Sequence, residues 1–394
     1  MEPALRFRTL DWLRYAAVLT VMLNHFSSTL LHLPSPLFGP AVYVEPARAG
    51  ITFLFVSSGF ILHWRYAAWL DWGSKGRMAM FLARRLWVLG PPVMLVVAMD
   101  LFAGSTAVET RAGSVAIALP AFATLTQSWT FATMGNATTM FPWDAANLAW
   151  LASDLLFLYL LYLLVFPSAR ILGRGGAIAA GVALAAMQWG AFSWVTMHQP
   201  AVLAAAGEIF GARAVSPETL PVYSALKWLT FYAPYFRAFE FLIGVMLAQV
   251  CRAGGPAARK GAVVAGVVLV ATGLVSYAVA VAPSNLVAPA FRYDCLACGL
   301  VLLAWAAGAS TITRTTWVQL PLSGYILWIS HMFWFNAYAL PPLLDVSSRD
   351  AWFIAGRLTM LTAFVVVTSY GLWELWWRST PSWLGPLRSE KEDA

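Results

Sequence analysis

Long apolar stretches follow one another along almost the entire chain, divided by shorter joints that carry charge, glycine or proline. Taking about 20 apolar residues per bilayer crossing, ten stretches qualify as spans, centred near Val18, Leu54, Val93, Leu158, Leu184, Phe241, Leu269, Val301, Trp328 and Phe364. The pattern predicts an all-α integral membrane protein of about ten transmembrane helices. Residues 1–380 make one transmembrane domain in this reading, and 381–394 a short charged cytoplasmic tail. The Gly90-Pro91-Pro92 run in the third stretch predicts a broken or bent helix, because proline removes a backbone donor and crowds the preceding turn. The two longest joints, roughly 103–147 and 198–226, both fall on the predicted outer side, and joints of that length are commonly functional or covering. Within the first of them, 115–122 is predicted to dip into the membrane. No internal repeat is visible, so a transporter built from inverted repeats gains no support.

Composition and charge narrow the class further. Of 394 residues, 60% are hydrophobic and 11% charged, and the mean hydropathy is +0.69; soluble domains carry about 25% charged residues. The net charge of +7 would hint at nucleic acid, but its distribution argues against that. With the N-terminus in the cytoplasm, sixteen basic residues fall on the inner side and five on the outer, while Arg14, Arg237, Arg292 and Arg357 lie within spans. That asymmetry follows the positive-inside rule for an even number of spans with both ends cytoplasmic. The expected location is the inner (cytoplasmic) membrane, crossed many times. Cys295 and Cys298 have a CxxC spacing but sit in an apolar run without a second pair, which reads as packing. No His, Cys and carboxylate cluster has metal spacing, so the expected site is metal-free.

The polar residues inside the first stretch are the main exception to its apolar character. Arg8 to His25 reads RTLDWLRYAAVLTVMLNH, with Asp11, Arg14 and His25 in an otherwise apolar run. It is not a cleaved signal peptide, since Arg14 interrupts it and the run continues past His25 toward Leu31. Arg14 and His25 are eleven positions apart, which on a helix puts them within about 20° of one face and about 16 Å apart along the axis. Ionisable groups in hydrocarbon cost a few kcal/mol each, so two on one face point to a lined cavity or path. The alternative is that Arg14 snorkels to the headgroups and His25 is hydrogen-bonded to a neighbouring helix.

Several stretches, in order, resemble the membrane-bound acyltransferase 3 family. Asp11, Arg14 and His25 resemble its opening helix, with an arginine and a histidine separated by ten residues. Phe53-Leu-Phe-Val-Ser-Ser58-Gly59-Phe60 resembles FFxxSGF, and Phe81-Leu-Ala-Arg84-Arg85 with Pro91 is similar to FxxRRxxRxxP, with Val88 in place of the third arginine. Trp150, Tyr159 and Pro167 are similar to WSLxxExxFYLLxP; the glutamate has no match, and Asp154 is not equated with it. Arg237-Ala-Phe-Glu240-Phe241 with Gly244 closely resembles RxxEFxxG. Gly324-Tyr325 with His331 is similar to SYxxYLxH, with Gly324 for serine and Trp328 for the second tyrosine. Glu374 and Arg378 resemble ExPxR, with Trp376 for proline. The resemblance implies a ten-span fold that moves an acyl group, usually acetyl from acetyl-CoA, to a hydroxyl of an envelope glycan or lipid.

Acyl transfer from a thioester to an alcohol needs a group that takes the hydroxyl proton. Histidine, with an ordinary pKa near 6.5, suits that task. His25 is therefore the candidate, as general base or as a covalent acyl carrier. Acyl-CoA (acetyl-CoA) is the expected donor substrate, and its phosphates call for cations; Arg84 and Arg85 supply planar guanidinium donors that fit phosphate. Arg14 steadies the thioester end of the donor or pairs with Asp11 three residues before it. Glu240 contacts the acceptor or orients His25, or else neutralises Arg237 within one helix. Ser58, beside Gly59, is read as a small-residue helix contact, and the lack of a GxSxG-type elbow around it argues against a serine nucleophile. Tyr325 and His331 are supporting candidates through the family motif, His331 otherwise being a packing histidine. His32, His63 and His198 are assigned no role. The competing function is a multi-span transporter or flippase of a glycan or lipid, with the same buried polar groups lining a path.

Overall fold

The computed structural model describes residues 7–25, 40–103, 112–140, 149–211, 214–215, 224–255, 258–276 and 287–308, with 356, 359–360, 362–369 and 371. Among these the chain is nearly all helical. The helices are α1 (Arg8–His25), α2 (Pro40–Tyr66), α3 (Lys75–Ala103), α4 (Ala112–Ala123), α5 (Phe131–Met140), α6 (Trp150–Ile171), α7 (Arg174–Met197) and α8 (Gln199–Phe210). A one-turn α9 (Ala225–Lys227) runs into a π-helical turn at Trp228–Tyr232, followed by α10 (Pro234–Gly254), α11 (Arg259–Val275) and α12 (Val287–Ala306). Among the described residues, four segments are long and apolar enough to cross a membrane: Lys75–Ala98, Trp150–Ile171, Arg174–Met197 and Val287–Ala306. The predicted spans centred on Val18, Leu54, Phe241 and Leu269 fall on α1, α2, α10 and α11, and that centred on Trp328 lies outside the described residues.

Helix α3 runs through Pro91 and Pro92 without the break that was one of the two expected outcomes there. The missing donors of consecutive prolines can be absorbed within an apolar helix when neighbouring elements cover the freed carbonyls. Helix α7 leaves Val182, Met187, Trp194 and Met197 exposed, and α11 leaves Val263, Val264, Val267 and Val268 exposed. Exposed apolar side chains repeated along two helices are what a bilayer-facing surface requires.

Contacts divide the chain into two compact units, Met1–Ser57 with Pro256–Leu274 and Tyr293–Ala394, and Ser58–Gly255 with Val275–Arg292. In the first unit, small residues bring backbones together. A side chain at Gly50 of α2 would meet the Ala17 carbonyl and the Thr20 hydroxyl of α1, each at 2.9 Å. Gly266 of α11 and Gly299 of α12 face each other, a Cβ on Gly299 lying 2.8 Å from the Gly266 carbonyl oxygen. This is the small-residue packing expected where apolar burial alone does not drive helices together.

The second unit is centred on α6, whose Tyr162 and Phe166 are fully buried together with Phe81 of α3 and Phe241 of α10. Gly59 of α2 lies directly on the backbone of α10. A Cβ there would overlap the Phe241 carbonyl and approach the Val245 amide nitrogen at 3.2 Å. The obstacle is backbone rather than a side chain that could rotate away. Gly59→Ala should therefore destabilise the protein by at least the upper end of the usual overpacking range of about 1–3 kcal/mol, seen as a lowered thermal midpoint in detergent; an unchanged midpoint would contradict the contact. Gln188 on α7 behaves oppositely. It is fully buried, and neither its amide nitrogen nor its oxygen has a hydrogen-bond partner among the described residues. Gln188→Met keeps the volume and removes the unpaired groups, so stability should rise by about 1–3 kcal/mol in the same measurement.

Candidate functional site

Helix α1 carries the first group of candidates. Asp11, Arg14 and His25 are all half-buried on one continuous helix whose last residue is His25, and the eleven-residue spacing holds Arg14 and His25 to one face. No ion pair joins Asp11 to Arg14 among the described residues, where the recorded pairs are Glu45–Arg48 and Arg237–Glu240. On the same unit, Glu45 of α2 accepts a hydrogen bond from the Tyr293 hydroxyl of α12 at 2.5 Å.

Arg84 and Arg85 belong to the other unit, on α3, and they are set in aromatic surroundings. The Arg85 guanidinium carbon lies 4.9 Å from the Tyr66 ring centre, 5.4 Å from Phe81 and 5.2 Å from Tyr159, and that of Arg84 lies 5.6 Å from Trp69. A cation close to aromatic rings is attracted by their electron-rich faces. The rings also limit the rotamers of a long side chain, so less entropy is lost on binding. Arg85 is thus a held cation rather than a loose surface charge.

Behind this cage lies a polar group with no role assigned from sequence. His63 of α2 is fully buried, its Nε2 3.0 Å from the Gln249 side-chain oxygen and its Nδ1 3.3 Å from the Tyr162 hydroxyl. Gln249 of α10 donates from its amide nitrogen to the carbonyls of Arg170 and Leu172 at 3.1 and 2.6 Å, completing the end of α6. Its oxygen must therefore face His63, so the ring carries its proton on Nε2 and accepts the Tyr162 O–H at Nδ1. Arg170 donates to the Leu70 carbonyl and Arg252 to the Trp64 carbonyl, capping the end of α2 and the turn after it. Tyr162 in turn packs on Phe81, 6.2 Å between ring centres, and Phe81 lies under Arg85. The histidine is a structural brace for the cage. Its position at a span end hid this, because the partner is 186 residues away.

Ser58 is half-buried and next to the Gly59 contact with α10. Arg237 and Glu240 are buried one turn apart on α10 and paired at 2.5 Å, and Arg237 Nε also donates to the Phe231 carbonyl at 3.0 Å. A second buried polar cluster surrounds Asp154, which was not assigned from sequence. The Ser128 hydroxyl approaches Asp154 Oδ1 at 2.6 Å and the Ser153 hydroxyl at 2.8 Å. Tyr325 and His331 lie outside the described residues, as do Glu374 and Arg378. No family model, curated protein or solved structure matches the chain.

Proposed function

We propose that the chain is an integral-membrane acyltransferase moving an acyl group, by preference acetyl, from acyl-CoA to a hydroxyl of an envelope glycan or lipid. The observation that carries this reading is the single helix α1, which holds a cation and an imidazole on one face of an apolar segment. The ordered resemblance to acyltransferase 3 motifs supports it, as does the caged, phosphate-compatible Arg85. In this reading the protein crosses the inner membrane ten times with both ends in the cytoplasm, where acyl-CoA is made. Arg84 and Arg85 hold the phosphates of the donor, and Arg14 steadies its thioester oxygen. The acceptor oxygen forms the new ester bond at the acyl carbon and the carbon–sulfur bond breaks. His25 takes the hydroxyl proton and passes it to the departing thiolate, or first carries the acyl group on its own imidazole. Neither route involves a metal.

Purified protein incubated with radiolabelled acetyl-CoA and envelope extracts is expected to release free CoA and to place label on a glycan or lipid in an ester. Movement of an acceptor across vesicle membranes without any label transfer would replace this reading with a transporter.

A further inference from the structure

Two half-length helices, α4 and α5, form a hairpin whose tip is held against the start of α6. The tip carries strain, since Leu125 adopts φ 54°, a left-handed conformation unusual for a leucine. Three consecutive tip residues are tied down by side-chain hydrogen bonds. Gln127 donates to the Ala149 carbonyl at 2.9 Å, the Ser128 amide donates to the Ser153 hydroxyl at 3.2 Å, and the Trp129 indole donates to the Ser153 carbonyl at 3.2 Å. From the other side, the Trp228 indole donates to the Ser128 carbonyl and the Tyr235 hydroxyl to the Trp129 carbonyl. Non-helical backbone of this kind survives in an apolar setting only where its polar groups are satisfied by protein.

Asp154 sits at the centre of this clamp with no exposed surface. The Ser128 hydroxyl has one proton and two acceptors within reach, Ser153 Oγ at 2.8 Å and Asp154 Oδ1 at 2.6 Å, and the shorter contact is to Asp154. Asp154 Oδ2 is buried and has no hydrogen-bond partner among the described residues. The charged groups within electrostatic reach of Asp154 are Arg237 and Glu240, both on α10 and 6% and 4% exposed, and the neighbouring titratable group is the Tyr235 phenol. Lys227 is half-buried over the Phe231 ring, 4.5 Å from its centre. Arg237 gives its Nη1 donor to Glu240 and its Nε donor to the Phe231 carbonyl. The short contact of this guanidinium is thus with Glu240.

We propose that Asp154 is a proton-binding site, holding one proton on Oδ2 while Oδ1 serves as the carbonyl that accepts from Ser128. The bound proton spares a fully buried anionic oxygen that has no donor among the described residues. Docking of the hairpin tip and retention of the proton are then one event. Loss of the proton leaves an ion that must be hydrated, and water can reach it only if Gln127, Ser128 and Trp129 move away from α6. Nothing in this depends on whether the protein transfers acyl groups.

Infrared difference spectra of the purified full chain in lipid nanodiscs at neutral pH test the site directly. Wild type minus Asp154→Asn should show a carbonyl stretch of a protonated carboxylic acid that moves to lower wavenumber in D2O. Ser128→Ala, which leaves the carboxyl group in place, should move that band to higher wavenumber by removing the hydrogen bond to its carbonyl. The second variant keeps the test decisive if Asp154→Asn does not fold. Loss of only ionised carboxylate bands in Asp154→Asn, a sodium-dependent shift of those bands, or a spectrum unchanged by Ser128→Ala would each overturn the assignment.

Discussion

Protein carrying His25→Ala should move acetyl groups from acetyl-CoA to an envelope acceptor about 10²–10⁴ times more slowly than the unaltered chain, the range expected for loss of a general acid–base group. His25 ends α1, eleven residues beyond Arg14 on the same face. His63, the other spanning histidine, has both ring nitrogens committed to Gln249 and Tyr162. The two histidines should therefore separate by phenotype. His25→Ala is expected to fail in chemistry at every donor concentration. His63→Ala is expected to lower the midpoint by about 1–3 kcal/mol through the unpaired Gln249 oxygen and Tyr162 hydroxyl, with activity lost only as fast as folded protein. Equal activity in His25→Ala and wild-type protein, at matched folded concentration, would remove the imidazole from the mechanism. Label retained on wild-type protein but not on His25→Ala after a single turnover would favour the acyl-histidine route.

The apolar runs made the helices legible, and four of the ten predicted spans qualify on length and composition among the described residues, the one centred on Trp328 lying outside them. Helix α1 carries Arg8, Asp11 and Arg14 within 18 residues, more charge than a purely apolar crossing tolerates. Helix α11 has 17 residues, about 25 Å at 1.5 Å per residue, somewhat short of a hydrocarbon core of about 30 Å. Local spacing also disclosed the Arg237–Glu240 pair and the close packing at Gly59, because each depends on residues within one turn or on the absence of a side chain. What local pattern could not disclose was pairing over long separations. Asp154 reads as a stray acid in an apolar helix, and its meaning comes from Ser128 in a different hairpin 26 residues before it. The aromatic cage on Arg85 likewise takes Tyr66 from α2 and Tyr159 from α6, positions that the arginine pair does not announce. The one available signal for Asp154 was its depth, since an acid four residues into a 22-residue apolar helix demands a donor.

Arg237→Ala should be among the most damaging single changes in the second unit, costing about 3–5 kcal/mol, because it strands Glu240 as a buried charge without its counter-ion. The double change Arg237→Met with Glu240→Leu removes both charges while keeping most of the volume, and should recover most of that loss. Recovery should fall short by about 1 kcal/mol, since the Phe231 carbonyl loses the Arg237 Nε donor in either case. Thermal unfolding of the two variants in one detergent measures this directly; a double variant as unstable as Arg237→Ala would mean that the pair is not the source of the loss. The same double variant decides what Glu240 is for. A pair that only neutralises charge inside α10 predicts a folded double variant with near-normal acyl transfer. A carboxylate that meets the acceptor hydroxyl predicts a folded double variant with normal hydrolysis of the donor and no ester product, because neither change touches Arg84 or Arg85, the proposed donor contacts.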